Sequence, residues 1–289
     1  MTPQNNTLGI WLMVATAFVF AMQDGLSRHL AGEYNVFMII MIRYWFFASF
    51  VIVVAARKAG GLRQAVATKQ PVLQIFRGVL LAVEVCVMVT AFVLLGLVES
   101  HAVFAVYPLL VAALSGPILG EKVGWRRWAA IGIGFVGVLI ILQPGFGVFQ
   151  PAALLAFLAS FMFALYSLLT RYAARKDSAA VSFFWTGTSG AVTMTLIGIW
   201  FWEPMVQGDW LWMILLCMTA AFSHFLLIRA YEVAEASAVQ PFAYLQLPFA
   251  AAIGVLVFSE TLRSNVVIGT CVVVAAGLFT LWRARVKAS

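Results

Sequence analysis

The chain has 289 residues, of which 64% are hydrophobic and 10% charged, with a net charge of +7 and a pI near 9.6. Soluble domains run at roughly 45–50% apolar and about 25% charged, so this composition excludes an ordinary water-soluble protein and makes lipid the solvent of the fold. The basic residues lie between apolar runs and form no patch, which gives no reason to expect nucleic acid as a partner.

Ten apolar runs follow in order, near residues 8–27, 36–56, 72–95, 99–119, 126–143, 152–170, 179–201, 210–229, 234–258 and 265–282. Each is long enough to span a bilayer as a helix, and no ten-residue alternation suggests a barrel. The segment before the first run, MTPQNNT, carries no Lys or Arg and no small-residue cleavage site follows, so it does not read as a signal peptide. Fourteen basic residues fall in connections on one side, while Arg28 and Arg263 alone fall on the other and Arg43 and Arg77 lie within spans. By the positive-inside rule both termini are cytoplasmic.

The first run contains AFVFAMQDGLSRHL (Ala17–Leu30), which returns as SFMFALYSLLTRYA at Ser160–Ala173. Phe18/Phe161, Phe20/Phe163, Ala21/Ala164, Leu26/Leu169 and Arg28/Arg171 are identical. ESHAV at Glu99–Val103 returns as EASAV at Glu235–Val239, and Glu121 and Glu260 each close an apolar, proline-containing run. The chain is therefore a duplication, with halves at 1–145 and 146–289. Five spans per half is an odd number, so the halves enter the membrane in opposite directions. Inverted repeats mark secondary transporters, whose substrate lies near midplane between the repeats.

Several polar positions inside the spans are candidates for that site. Gln23 and Asp24 end the first span and Glu84 sits in the third, two helical turns from Arg77. His101 begins the fourth and His224 lies in the eighth. Tyr107, Tyr166, Tyr244 and Gln246 complete the set, because a mid-span hydroxyl or amide needs a partner or water. Arg77 is expected to snorkel to the cytoplasmic surface and Arg43 to act as a structural anchor.

The fourth and ninth spans carry Pro108 and Pro117, then Pro241 and Pro248, each freeing a carbonyl four residues earlier. They are candidate bending points of broken helices. Gly132-x-Gly134-x-x-Gly137 has the spacing of a dinucleotide fingerprint, but no strand precedes it and the run is intramembrane, so close helix packing is the reading. Trp200, Trp202, Trp210 and Trp212 read as an interface belt. Cys86, Cys217 and Cys271 are far apart and are expected to be buried and reduced. No spacing suggests a metal, a cofactor, ATP-driven pumping or enzymatic chemistry.

Arg77-Gly78, then LGEKVGWRRWAAIGIGFVGVLIILQPG (Leu119–Gly145), and in the second half IRAYEVAEASAVQPFAYLQL (Ile228–Leu247) followed by Glu260, resemble the EamA family of the drug/metabolite transporter superfamily. The resemblance implies an all-α integral membrane protein of ten helices in two inverted five-helix repeats, with cytoplasmic termini in a bacterial inner membrane. Spans 1, 3, 4, 6, 8 and 9 would surround a cavity, with 5 and 10 as supports. It also implies alternating-access export of small metabolites, amino acids and aromatic ones foremost. Nucleotide-like metabolites or cationic drugs are the alternative cargo; a channel or a non-transporting scaffold is the alternative of another class. Membrane lipid is the surrounding partner, and protons would be one only if a buried ionisable group carries them.

Overall fold

The computed structural model describes residues 5–57, 61–120, 125–142, 150–234, 239 and 242–286, and all its elements there are helical. They are α1 (Asn6–Ala31), α2 (Val36–Arg57), the short α3 (Gly61–Val66), α4 (Pro71–Leu95), α5 (Leu97–Phe104), α6 (Tyr107–Leu119) and α7 (Trp125–Leu142) in the first half. The second half has α8 (Ala153–Ala173), α9 (Ala179–Gly198) with a terminal turn at Ile199–Phe201, α10 (Asp209–Val233), α11 (Gln246–Phe258) and α12 (Ser264–Val286). Seven spans, with α5 and α6 counted as one, are long and apolar enough to cross a membrane. Three shorter apolar segments, at 128–141, 246–258 and 264–276, stand where the fifth, ninth and tenth spans are expected. Several boundaries move outward by up to a turn, while the described helix of the ninth span starts at Gln246; α1 continues to Ala31, so Arg28 is helical.

Local chemistry sets the ends. The Asn5 side chain accepts from the Leu8 N–H at 3.0 Å and the Ser178 hydroxyl from the Val181 N–H at 3.4 Å, filling orphan donors at the starts of α1 and α9. Pro71 opens α4, where its missing N–H costs nothing. Gly96, at φ 93°, lets the chain turn from α4 into α5 within one residue, a conformation L side chains avoid.

The two prolines of the fourth span behave differently. α5 stops at Phe104, Ala105 and Val106 form a turn, and Pro108 is the second residue of α6; Pro117 lies inside α6. The second half repeats this 139 positions on: a turn at Tyr244–Leu245, then α11 with Pro248 as its third residue. The carbonyl of Tyr244 is taken by the Leu247 N–H at 3.1 Å. Both α6 and α11 run 13 residues and end in a left-handed residue, Gly120 at φ 78° and Ser259 at φ 53°. Pro241 and Glu121 lie outside the described residues.

Packing repeats when the halves are exchanged. α1 packs on α10 as α8 packs on α4, α1 on α11 as α8 on α6, and α4 on α9 as α10 on α2. Equivalent helices also meet directly, α2 with α9 and α7 with α12, while α5 of the first half packs on α11 of the second. This is a pseudo-twofold arrangement. At the α7–α12 contact a Cβ on Gly137 would come within 2.8 Å of the Gly269 carbonyl oxygen, and one on Gly269 within 2.6 Å of the Gly137 oxygen. Gly134 meets Leu109, while Gly132 faces open space, so two of the three glycines of the rejected fingerprint serve close packing.

Two loop clasps are related by the same exchange. In one, Tyr34 Oη donates to Asp209 Oδ2 at 2.6 Å and accepts from the Val206 N–H at 2.9 Å, while Glu203 Oε1 accepts from the Asn35 N–H at 2.6 Å. Hydrogen bonding to Asp209 holds the Tyr34 phenol above its ordinary range. In the other, Asp177 accepts from Thr68 Oγ1 at 2.5 Å, the Lys69 N–H at 2.9 Å and Gln74 Nε2 at 2.9 Å. Burial pushes the Asp177 carboxyl up, but the Thr68, Gln74 and Lys69 donors outweigh it and hold it below the usual carboxylate range.

Cys86 and Cys217 are buried, but Cys271 is exposed on α12, contrary to the expectation that all three are buried. The four tryptophans of the belt are all exposed.

Candidate functional site

Where α1, α4, α5, α10 and α11 converge between the halves, polar side chains gather in an otherwise apolar interior. Asp24, on α1, is the centre. Its Oδ1 accepts from Gln23 Nε2 at 3.1 Å, and its Oδ2 accepts from Gln246 Nε2 at 3.0 Å and lies 3.1 Å from His101 Nε2. Ser223 on α10 donates to Gln23 Oε1 at 3.0 Å. Gln246 is the first residue of α11 and His101 lies in α5, so the two breaks of the fourth and ninth spans bring both to Asp24.

A second group faces the first across a cavity. Arg43 on α2 places Nη2 3.3 Å from His224 Nε2, while its Nη1 has no hydrogen-bond partner. Glu84 on α4 is 4% exposed and takes part in no ion pair or hydrogen bond with a described residue. The cavity is lined by Gln23, Asp24, Arg43, Glu84, His224 and Gln246, and by the rings of Phe20, Phe92, Phe104 and Phe163. A buried guanidinium and two buried carboxylates around one space are costly unless they pair with one another or with a guest. The space is about 40 Å³, room for a few water molecules and too small for a metabolite. In this conformation the space admits no cargo of that size.

The other expected residues fall elsewhere. Tyr107 and Tyr244 line a smaller adjoining pocket with His101 and Gln246. Tyr166 belongs to neither space. It is fully buried and accepts from Arg77 Nη2 at 3.4 Å, with the Arg77 guanidinium 5.1 Å from its ring centre. Arg77 does not snorkel: it is 0% exposed and donates to Thr170 Oγ1 at 3.0 Å, to Thr186 Oγ1 at 3.2 Å and to Gln74 Oε1. Neutral acceptors from α4, α8 and α9 hold the charge where two turns of helix separate it from Glu84.

Arg43 is the main residue that sequence reasoning misplaced. It has no acidic neighbour in sequence and reads as an anchor, yet it lines the cavity. Its location within a span is the signal that could have marked it. Phe20 and Phe163, repeat equivalents, meet edge-on at 6.1 Å between ring centres, so identity between the halves already pointed at the wall.

A larger crevice of about 840 Å³ opens between α2, α3, α9 and α10. It is lined by Phe46, Phe50, Phe183, Phe222 and other apolar side chains, with few convergent polar groups. The central cavity combines charge, burial and the repeat interface, and it is the stronger candidate.

The model of the EamA-like transporter family matches residues 7–143 and again 150–282. A "S-adenosylmethionine uptake transporter" of Rickettsia prowazekii (strain Madrid E) is 24% identical over 274 residues, covering 95% of this chain and 92% of that protein. A "Riboflavin transporter" of Vibrio cholerae serotype O1 is 27% identical over 281 residues, covering 96% and 93%. One of Rhizobium johnstonii is likewise 27% identical, over 285 residues, covering 96% and 92%. A crystal structure, 18% identical, superposes with a TM-score of 0.66 over 98% of this chain and 99% of the other. That likeness bears on the fold alone.

Proposed function

The chain belongs to the EamA-like transporter family, and from that premise we propose that its cargo carries an α-amino-carboxylate together with an aromatic or heteroaromatic ring. It is a multi-pass secondary transporter of small metabolites, not an enzyme. The observation that carries the cargo reading is that the unpartnered Nη1 of Arg43 and a Glu84 carboxylate bonded to no described residue, opposite in charge, share the cavity. The free Nη1 of Arg43 suits a carboxylate and Glu84 suits an ammonium, with Asp24 beside it, while four phenylalanines offer faces to a ring. Aromatic amino acids have this chemistry, and so does S-adenosylmethionine, the cargo in the name of the Rickettsia relative. Riboflavin has neither a carboxylate nor an ammonium and would leave both charges unpaired.

Transport runs by alternating access between halves 1–145 and 146–289. The breaks before α6 and α11, with Pro108 and Pro248, are the bending points, and Pro117 sets the line of α6. Both termini lie in the cytoplasm of a bacterial cell.

The test is counterflow in proteoliposomes, with labelled phenylalanine, S-adenosylmethionine and riboflavin offered to vesicles preloaded with the same solute. Saturable, mutually competitive exchange of the first two is expected; exchange of riboflavin alone overturns the reading. Glu84→Gln keeps the shape of the side chain and removes its charge. It should raise the apparent KM for zwitterionic cargo about tenfold, equivalent to about 1.4 kcal/mol.

A further inference from the structure

We propose that Asp24 and His101 together form a proton-binding site, and that the proton held there exchanges against the cationic group of the cargo. The exchange rests on the cargo reading above; the proton site does not. Hydrogen-bond accounting supplies the argument. His101 Nδ1 lies 2.9 Å from the Leu97 carbonyl oxygen, which can only accept, so Nδ1 carries a hydrogen. The other ring nitrogen, Nε2, then faces Asp24 Oδ2 at 3.1 Å. If the imidazole were neutral and the carboxyl ionised, two lone pairs would oppose each other inside the membrane. One proton between them, on either atom, turns that repulsion into a charge-assisted or neutral hydrogen bond.

The neighbouring amide does not remove the need. Gln246 Nε2 donates to Asp24 Oδ2 at 3.0 Å and approaches His101 Nε2 at 3.4 Å, so its second hydrogen can at best be offered to the imidazole. The Nε2–Oδ2 approach at 3.1 Å stays without a hydrogen unless the pair holds its own proton. His101 is fixed against rotation by the Phe92 ring, stacked at 5.1 Å with an interplanar angle of 7°. With the Nδ1 contact to the Leu97 carbonyl, this stacking favours the orientation that aims Nε2 at Asp24.

The charges around the pair separate it from the other candidates. From α10, His224 Nε2 already accepts from Arg43 on α2, so protonating that nitrogen would set a hydrogen against a guanidinium. From α4, Glu84 faces the same cavity and the same guanidinium with no donor of its own. Toward the far end of α1, Arg28 pairs with Glu260, which follows α11 and also accepts from the Leu97 and Val98 N–H groups at 2.8 and 2.7 Å. Glu260 is thus occupied as the cap of α5, and it anchors the Leu97 turn that orients His101. Gln23 and Ser223 add only neutral groups.

Asp24 lines the cavity while His101 stands behind it. A proton arriving at the pair and an ammonium or sulfonium arriving from the cavity compete for one carboxylate. Binding of the cation releases the proton, and rebinding of the proton expels the cation. The N–H or O–H bond formed when a proton reaches the pair from water is broken when that proton returns to water; one proton moves one way and one cargo molecule the other.

Two measurements test this. In the first, purified full-length protein labelled with ¹⁵N-histidine is titrated by NMR without cargo, with the His101 signals identified by their loss in His101→Gln. Asp24→Asn should change the pH dependence of the His101 signals, because the carboxylate that shares the proton is gone. The same titration in wild type and Asp24→Asn overturns the proton site, whatever the protein transports. In the second, the membrane potential is clamped at zero and proteoliposomes accumulate labelled phenylalanine or S-adenosylmethionine against an imposed pH gradient. One-for-one exchange predicts roughly tenfold accumulation per pH unit. In His101→Gln the ratio of rates with and without the gradient should fall to one, whatever the gradient-free rate. Robust counterflow in wild type with no response to the gradient overturns the exchange. If neither solute moves, the cargo reading and the exchange fall together, and the titration alone decides the site.

Discussion

Ser259 is the one non-glycine residue at positive φ among those described, and its exchange partner across the halves is Gly120. An L side chain in this region costs roughly 1–2 kcal/mol. Ser259→Gly should therefore raise the thermal midpoint of the detergent-solubilised protein, with a gain of about 1 kcal/mol after the added entropy of glycine in the unfolded chain. A fall in midpoint would mean that the hydroxyl has a role that its backbone geometry does not reveal. At this scale the sequence was legible wherever residue type alone announces burial cost. Asp24, Glu84, His101, His224 and Gln246 stood out as polar groups within apolar runs, and all meet at or beside one cavity. Tyr166 stood out by the same reasoning and went to Arg77 instead. A hydroxyl's need for a partner is visible in a sequence, but which partner it finds depends on the packing angle between α4 and α8.

At the scale of helices, the α7–α12 pair depends on backbone contact. Gly137 and Gly269 face each other's carbonyls at distances no Cβ tolerates. Gly137→Ala must push the helices apart and should lower the thermal midpoint, at a cost of about 1–3 kcal/mol. Gly132→Ala, which meets nothing, should leave it unchanged and serves as the control. The glycine spacing gave away close packing but not which of the three positions touch, because the facing helix lies more than 130 residues away. The broken spans were legible from their prolines. The place of the break was less so: in the first half it falls before Pro108, while Pro117 sits in continuous helix.

For the whole molecule, the duplication and the count of spans could be read from residue identities and from the distribution of Lys and Arg. The loop clasps could not, since Tyr34, Asp209, Thr68 and Asp177 are ordinary polar residues in or beside loops until the halves are assembled. Asp177→Asn should weaken its clasp. Because the Asp177 carboxyl is held below its ordinary range, its contribution is full above about pH 4 and is lost as pH falls through the depressed value. The thermal midpoint of the variant should therefore lie below wild type at pH 7, with the difference closing in acid. A constant difference at all pH values would place the effect outside the carboxylate.

The exchange symmetry of these clasps has a consequence for the direction in which the molecule rests. In the alternating-access cycle proposed above, opening at one membrane face with the other shut, and the reverse, are nearly the same structure with the halves relabelled. Their difference in free energy therefore comes only from positions where the two copies of the ancestral half have drifted apart. Drift worth 1.4 kcal/mol is enough for a tenfold preference. The orientation of the resting carrier is then a record of divergence after gene duplication. A handful of substitutions that make one clasp resemble the other could reverse it without touching the cargo site.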